Sequence, residues 1–522
     1  MSGLSAQAGT DALVTELVRG VPVRCYADRP TSIVAILQDA LAAHRDDVLL
    51  VDPALGRACR YGEFASLVEG AAATLGTLLA AGDRVAVLAR NGLEAAVALW
   101  ACARAGLVHV GIPVDAPPAR VRELLALTGT RLLLAQPALV PAGLETPVRD
   151  CALLLAEQRD WDPATPLPDQ DATYALIATS GTTGRAKAVR VTGRMTGHAA
   201  AFYTRALGLT SRDRTAIHLP FAWVSGHITQ LAPAMLSGGS AVTMATFSAG
   251  GLCAVAQEHD VTWLDVVPSI FELLLRSTRF ALPALSGVRL AVFGGAPAPP
   301  GTLERVRERL PQLRLVDVYA LSETCAPVTC LSDVEALRRP GTVGRPAPYV
   351  ELRLVDVAGA PVPRGAAGEV QVRSPAVTPG YWRPCRSGDH EPGPLTADGW
   401  LATGDLGRLD DEGFLTIAGR AVDLIVRGGV NIYPAEVERA LLGTGLLADA
   451  LAVGVPSSVA GQGVAALVVA RPDAEVDPAV LRRAVRDALG AHAVPRPVRV
   501  VDALPRGRNG KPDRVAALAL LG

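Results

Sequence analysis

Residues Tyr174-Ala-Leu-Ile-Ala178 form a short apolar run that reads as a buried strand, and the chain leaves it directly into Thr179-Ser-Gly-Thr-Thr-Gly-Arg-Ala-Lys187. Four hydroxyl side chains, Thr179, Ser180, Thr182 and Thr183, crowd around Gly181 and Gly184, and the cation Lys187 follows three residues later. Glycines admit positive φ and close approach, so successive N–H groups can converge on one concavity. With added hydroxyl donors and a compact positive charge, the stretch has the makings of a phosphate cradle. By itself such a stretch is more often a flexible surface loop than a phosphate site. It is not a Walker loop, because no glycine precedes Lys187 and no hydroxyl follows it.

A strand ending in such a loop demands a sheet around it, and the flanking chain supplies one. Phe64, Leu67, Val68, Ala71, Leu75, Leu78 and Leu79 recur at helical spacing, Gly82-Asp83 turns the chain, and residues 84–88 read as a strand. Asn91-Gly92 opens a helix through Ala95, Leu99 and Ala103, and residues 106–113 read as the next strand. A second alternating region follows, with strands at 261–268, 288–293 and 315–319 and a helix near 271–276. Ligands of open α/β sheets sit beyond the carboxyl ends of strands, which draws attention to residues 294–297 and 320–324.

From about Gly341 the texture is β-rich, with short strands at 351–355, 368–373 and 413–417. A last module holds a helix at 434–442, strands at 450–455 and 464–470, and a helix opened by Asp477-Pro478. At 522 residues more than one core is expected. The fold class that follows is α/β: a large N-terminal domain (1–422) of two α/β sheet subdomains plus a small β-rich one, then a small α+β domain (423–522).

A net charge of −1 argues against nucleic acid or a membrane surface as a general partner. Eight scattered cysteines without a Cys-x-x-Cys pair argue against a zinc site or a disulfide framework. The N-terminus lacks the regions of a signal peptide, and no apolar run reaches the ~18 residues of a membrane span. The expected location is cytoplasmic.

Four later stretches join the cradle in a fixed order: Tyr319-Ala-Leu-Ser-Glu-Thr324, Gly399-Trp-Leu-Ala-Thr-Gly-Asp-Leu406, the run 419–438 opening Gly-Arg-Ala-Val-Asp423, and Asn509-Gly-Lys511. Together they resemble the adenylate-forming superfamily of acyl-CoA synthetases, peptide-synthetase adenylation domains and luciferases, from about Tyr61 to Arg514. The resemblance implies a loop over the β- and γ-phosphates of ATP at Thr179, Ser180, Gly181, Thr182, Thr183, Gly184 and Lys187. It implies an adenine site at Gly295, Ala296 and Tyr319, with Ser322 in the adjoining motif. Glu323 would position Mg²⁺, Asp405 and Arg420 would take the ribose, and Lys511 would reach the α-phosphate and the substrate carboxylate. Asp423 would be the hinge on which the small domain turns.

The implied reaction is attack of a carboxylate on the α-phosphorus, loss of pyrophosphate, and transfer of the acyl group to the thiol of CoA or of the phosphopantetheine of a discrete carrier protein. The alternatives are an enzyme that stops at the adenylate or passes it to an amine or other nucleophile, and a nucleotide-binding relative without catalysis. Both reactants are anionic, so a lysine and Mg²⁺ are the fitting residue and ion. The motif departs from the family at Ala186, Ala188 and Ala320, where Pro, Gly and Gly are usual. Ala222 stands where amino-acid-activating relatives carry an aspartate, which disfavours an α-amino acid substrate.

Trp223 is either a gate beside the substrate carboxylate or a core tryptophan. Asp265, inside an apolar strand, either pairs with an amine or hydroxyl of the substrate or is satisfied by neighbouring backbone. Phe293, Val318 and Ala326 would complete a tight pocket, with Phe293 limiting its depth, so a short, cyclic or aromatic acid is expected.

Overall fold

The computed structural model describes residues 13–180, 186–281, 285–299, 301–339, 341–382, 395–427, 430–457, 461–506 and 512–521. Of the expected site residues, Gly181, Thr182, Thr183, Gly184 and Lys511 lie outside this set.

Among the described residues two large sheets face each other. The first runs, edge to edge, Tyr381–Trp382, Ala186–Thr192, Thr173–Ser180, Val108–Gly111, Arg84–Leu88, Leu132–Ala135 and Val148–Asp150. The second has at its centre Arg314–Tyr319, Leu290–Gly294, Trp263–Val266, Arg214–Ile217 and Ser240–Thr243, mutually parallel. The expected alternation of helices and strands is present, but the second sheet also recruits Val48–Asp52, far away in sequence, as a parallel partner of Ser240–Thr243.

Between the sheets runs the helix Leu93–Arg104, all of whose residues but the half-buried Glu94 are buried. A helix this apolar belongs in a core, and it is anchored there. Trp100 packs edge-on to Phe64 at 5.8 Å and donates from its indole to the Ile33 carbonyl. The Leu93 amide donates to Asp52 Oδ2 at 2.8 Å, so a carboxylate from the second sheet caps this helix at its positive end. A Cβ at Gly92 would stand 2.7 Å from that same oxygen.

The first sheet closely approaches a loop of the second at Gly111. A side chain there would lie 2.6 Å from the Cα and carbonyl of Ala222, in the loop leaving the second sheet. Asn91 fastens that loop: its amide donates to Ile217 and Leu219 carbonyls and its oxygen accepts from Phe221 N–H.

A smaller antiparallel sheet, Glu351–Val355, Gly368–Arg373, Leu401–Leu409 and Leu415–Arg420, corresponds to the β-rich stretch. Beyond it a separate α+β unit folds Val430–Ile432, Ile425–Arg427, Gly461–Ala470, Leu447–Ser457 and Val498–Val500 into its own sheet around its own core. Asp477 caps the helix Pro478–Leu489 through the Ala479 amide, with Pro478 at the first turn.

Candidate active site

The strands that flank the cradle stretch, Thr173–Ser180 and Ala186–Thr192, pair antiparallel. Lys187 pairs with Thr179, so both project from one face of the sheet. The strand Tyr381–Trp382 adds to the outer edge, Tyr381 opposite Val189. This brings the Lys187 ammonium 4.8 Å from the centre of the Tyr381 ring.

The Tyr381 hydroxyl in turn donates to Glu323 Oε1 at 2.9 Å. Glu323 lies in the turn after Arg314–Tyr319, at the carboxyl end of a parallel strand. Thr324 braces that turn through the Leu321 and Ala326 carbonyls, and Cys325 holds φ +53, an uncommon value for a residue with a side chain. The Thr378 amide donates to the Glu323 carbonyl at 2.7 Å. Neither Tyr381 nor Thr378 was expected. A two-residue strand has no periodicity to announce it, and Gly380-Tyr-Trp382 was the one available signal.

On the other side of the same turn the Tyr319 hydroxyl donates to Asp405 Oδ2 at 2.6 Å, and Arg420 Nε lies 3.0 Å from Asp405 Oδ1. Asp405 and Arg420 are cross-strand partners in the smaller sheet. Burial pushes the Tyr319 phenol well above its ordinary range, and the adjacent Asp405 charge adds to this, so it stays a donor. At the end of the neighbouring strand Gly294 must be glycine, since a Cβ would lie 2.2 Å from the Val318 carbonyl. Gly295 has φ +79 with open space beside it, and Ala296 is half-buried, as is Ser322.

Asp265 is 9% exposed, on a strand otherwise packed in the core. Its Oδ2 lies 2.5 Å from Thr229 Oγ1, which is itself 3.0 Å from the Ser225 carbonyl. Burial pushes the Asp265 carboxyl up to about 7, outweighing the Thr229 hydroxyl, which donates to the carboxyl and holds its pKa down. Thr229 is on a π-helix, Ser225–Leu231, a local geometry that recurs at functional sites. Trp223 is half-buried just ahead of that helix.

Phe293 departs from expectation. Asp265 pairs with Val292 and Val266 with Phe293, so Phe293 points to the opposite face of the sheet from Asp265. It is 1% exposed and packs against Phe271 at 5.7 Å in a different core, whereas Val292, Val318 and Ala326 share the core on the Asp265 side. Phe293 therefore does not limit the depth of a pocket at Asp265.

Asp423 closes a short 3₁₀ turn, and its carboxylate pairs with Arg514 Nε at 3.1 Å. Arg514 also reaches Glu438 at 3.0 Å. No group of three or more metal-ligating side chains occurs among the described residues, and no described helix is long and apolar enough to cross a membrane.

Residues 37–382 match the family described as AMP-binding enzyme, and residues 436–511 match the AMP-binding enzyme C-terminal domain. The chain belongs to the AMP-binding enzymes. This AMP-binding enzyme is 34% identical over 506 residues to a sulfoacetate–CoA ligase from Cupriavidus necator, covering 93% of the chain and 97% of the relative. It is 29% identical to an indoleacetate–CoA ligase from Aromatoleum aromaticum, covering 86% and 91%. Among solved structures it resembles an o-succinylbenzoate CoA synthetase from Bacillus subtilis in complex with its acyl-adenylate intermediate, with a TM-score of 0.80, 28% identity and coverage of 91% and 96%. ATP-bound MatB from Rhodopseudomonas palustris gives a TM-score of 0.83 at 26% identity, covering 94% and 99%. As an AMP-binding enzyme the chain is an adenylate-forming ligase of the acyl-CoA ligase family.

Proposed function

We infer that this enzyme uses ATP and Mg²⁺ to convert a carboxylic acid to its acyl-adenylate and then passes the acyl group to the thiol of CoA. The observation that carries the reading is the meeting of a cation, Lys187, and a hard oxygen donor, Glu323, on the two sides of Tyr381. A triphosphate with a divalent metal needs both kinds of group side by side. The donor set fits: one carboxylate suits magnesium, which takes its remaining ligands from phosphate oxygens and water. Magnesium, when bound, supplies charge neutralisation on the phosphates.

In this reading a substrate carboxylate oxygen bonds to the α-phosphorus as the bond to pyrophosphate breaks. Lys187 stabilises charge on the departing phosphates, and Lys511 does so at the α-phosphate and the incoming carboxylate. Tyr319, Gly295 and Ala296 line the adenine, and Asp405 with Arg420 takes the ribose. The thiol sulfur then attacks the acyl carbon and AMP leaves. Rotation of a unit beginning at Asp423 would withdraw Lys511 between the two steps.

The substrate we favour carries a hydroxyl or amine remote from its carboxylate. Asp265 has an oxygen that no described residue hydrogen-bonds, and a buried carboxyl would oppose a second anion such as a sulfonate. The relatives named for CoA ligation support the acceptor.

The test is pyrophosphate release over a panel of acids, with and without CoA. Release with hydroxylated or aminated acids, accelerated by CoA, is expected. Release that stays at about one equivalent with CoA present would point to another acceptor, and none with any acid would overturn the reading.

A further inference from the structure

Lys187 and Glu323 carry opposite charges within one site, yet no ion pair joins them. Tyr381 stands between, its ring against the ammonium at 4.8 Å and its hydroxyl on Glu323 Oε1 at 2.9 Å. We propose that Tyr381 is a positioning residue, a spacer that keeps the phosphate-seeking lysine and the metal-seeking carboxylate from neutralising each other before nucleotide arrives. The proposal rests on the reading of this site as one for MgATP.

A free lysine and a free carboxylate able to reach each other would pair, because their attraction rises steeply as water is excluded. Both would then have to be pulled apart for an anionic phosphate and a cation to bind. Tyr381 replaces that contact with two weaker ones. A cation over an aromatic face, and a hydrogen bond from a neutral hydroxyl to a carboxylate, are each weaker than a water-excluded ion pair. Each charge is held in place, and each is released at modest cost.

The backbone holds the spacer from both sides. Tyr381 is in register with Val189, two residues from Lys187 and on its face of the sheet. Gly380, at φ +138, makes the turn into that short strand, a conformation that favours glycine. Thr378 ties the same segment to the Glu323 carbonyl through its amide and to the Arg190 carbonyl through its hydroxyl at 2.7 Å. The ring is therefore fixed to the strand bearing Lys187 and to the turn bearing Glu323.

Calorimetric titration of ATP, with EDTA and then with Mg²⁺, into the full-length chain tests this. Tyr381→Leu is expected to weaken metal-free ATP binding about tenfold, because Glu323 captures Lys187, and Tyr381→Leu with Glu323→Gln to restore it to within about twofold. A purely structural tyrosine would give no such rescue. Tyr381→Phe keeps the ring over the ammonium and the fold, so metal-free binding should stay within about twofold while the gain in affinity on adding Mg²⁺ falls several-fold. Unchanged binding in both single variants, or a folded Tyr381→Leu that the glutamine change does not rescue, overturns the proposal. If Tyr381→Leu fails to fold, a Tyr381→Phe protein with wild-type response to Mg²⁺ overturns it. Failure of the underlying reading looks different: the unaltered enzyme itself would then bind no ATP.

Discussion

The phenol of Tyr319 donates a 2.6 Å hydrogen bond to Asp405 Oδ2, joining the end of a parallel strand in the large domain to the smaller antiparallel sheet. Arg420 holds the other oxygen, so both acceptor atoms of Asp405 are engaged without a ligand. A sugar hydroxyl reaching Asp405 must share an oxygen with Tyr319 or displace it, which keeps the carboxylate oriented and its desolvation already partly offset. Asp405→Asn is expected to weaken AMP binding about 10–100-fold, the worth of hydrogen bonds to a charged group, and to erase any preference for AMP over 2′,3′-dideoxy-AMP. Equilibrium titration of both nucleotides measures this. An Asn variant that still discriminates would show that the ribose is read elsewhere.

Asp265 makes a pH prediction whose sign is fixed by its environment. Its folded-state pKa, about 7, lies above the usual carboxylate value because the group is buried. Its contribution is thus fully present below about pH 4 and is lost as pH rises through about 7, since the folded state must keep or surrender a proton the unfolded chain has already lost. The buried His109 and His227 act oppositely, with pKa values lowered by burial to about 3 and about 4, so they destabilise as pH falls below their ordinary value. Comparing urea unfolding of Asp265→Asn with the unaltered chain cancels the histidines. The unaltered chain should lose stability relative to the variant between pH 5 and 8, by on the order of a few kcal/mol.

The same residue should govern choice of acid. With Asp265→Leu, the hydroxyl of Thr229 keeps its partner in the Ser225 carbonyl while the polar anchor is gone. The ratio of kcat/KM for a hydroxylated acid over its deoxy analogue is expected to fall at least about tenfold. An unchanged ratio would assign Asp265 a purely structural part.

Gly111 tests how the two sheets form one site. A methyl group there meets the Ala222 backbone at 2.6 Å, and backbone cannot swing aside as a flexible side chain can. Gly111→Ala should cost about 1–3 kcal/mol in thermal unfolding and displace the loop carrying Trp223, with turnover falling more than stability alone explains. Full activity in this variant would show that the loop is not held by the close approach.

Much of the framework is local and was legible. The strands at 351–355 and 368–373 and the helix at 434–442 begin and end where alternation, proline and glycine say they should. The order of five short motifs named the superfamily, because each stretch keeps its chemistry whatever its neighbours do. What no local pattern carries is phase between strands. Phe293 and Asp265 are both apolar-strand residues, and only the register of one strand on the next decides that they face opposite cores. Tyr381 lies on a strand of two residues defined only by its pairing with Ala188 and Val189. Thr229 meets Asp265 across 36 residues, and Val48–Asp52 finds Ser240–Thr243 across 191 (Ala241 on Leu50). Periodicity is written in a single segment and survives reading alone. Register, facing and the spacing of charges are properties of pairs of segments, set by packing and backbone hydrogen bonding that come into being only when the chain closes on itself.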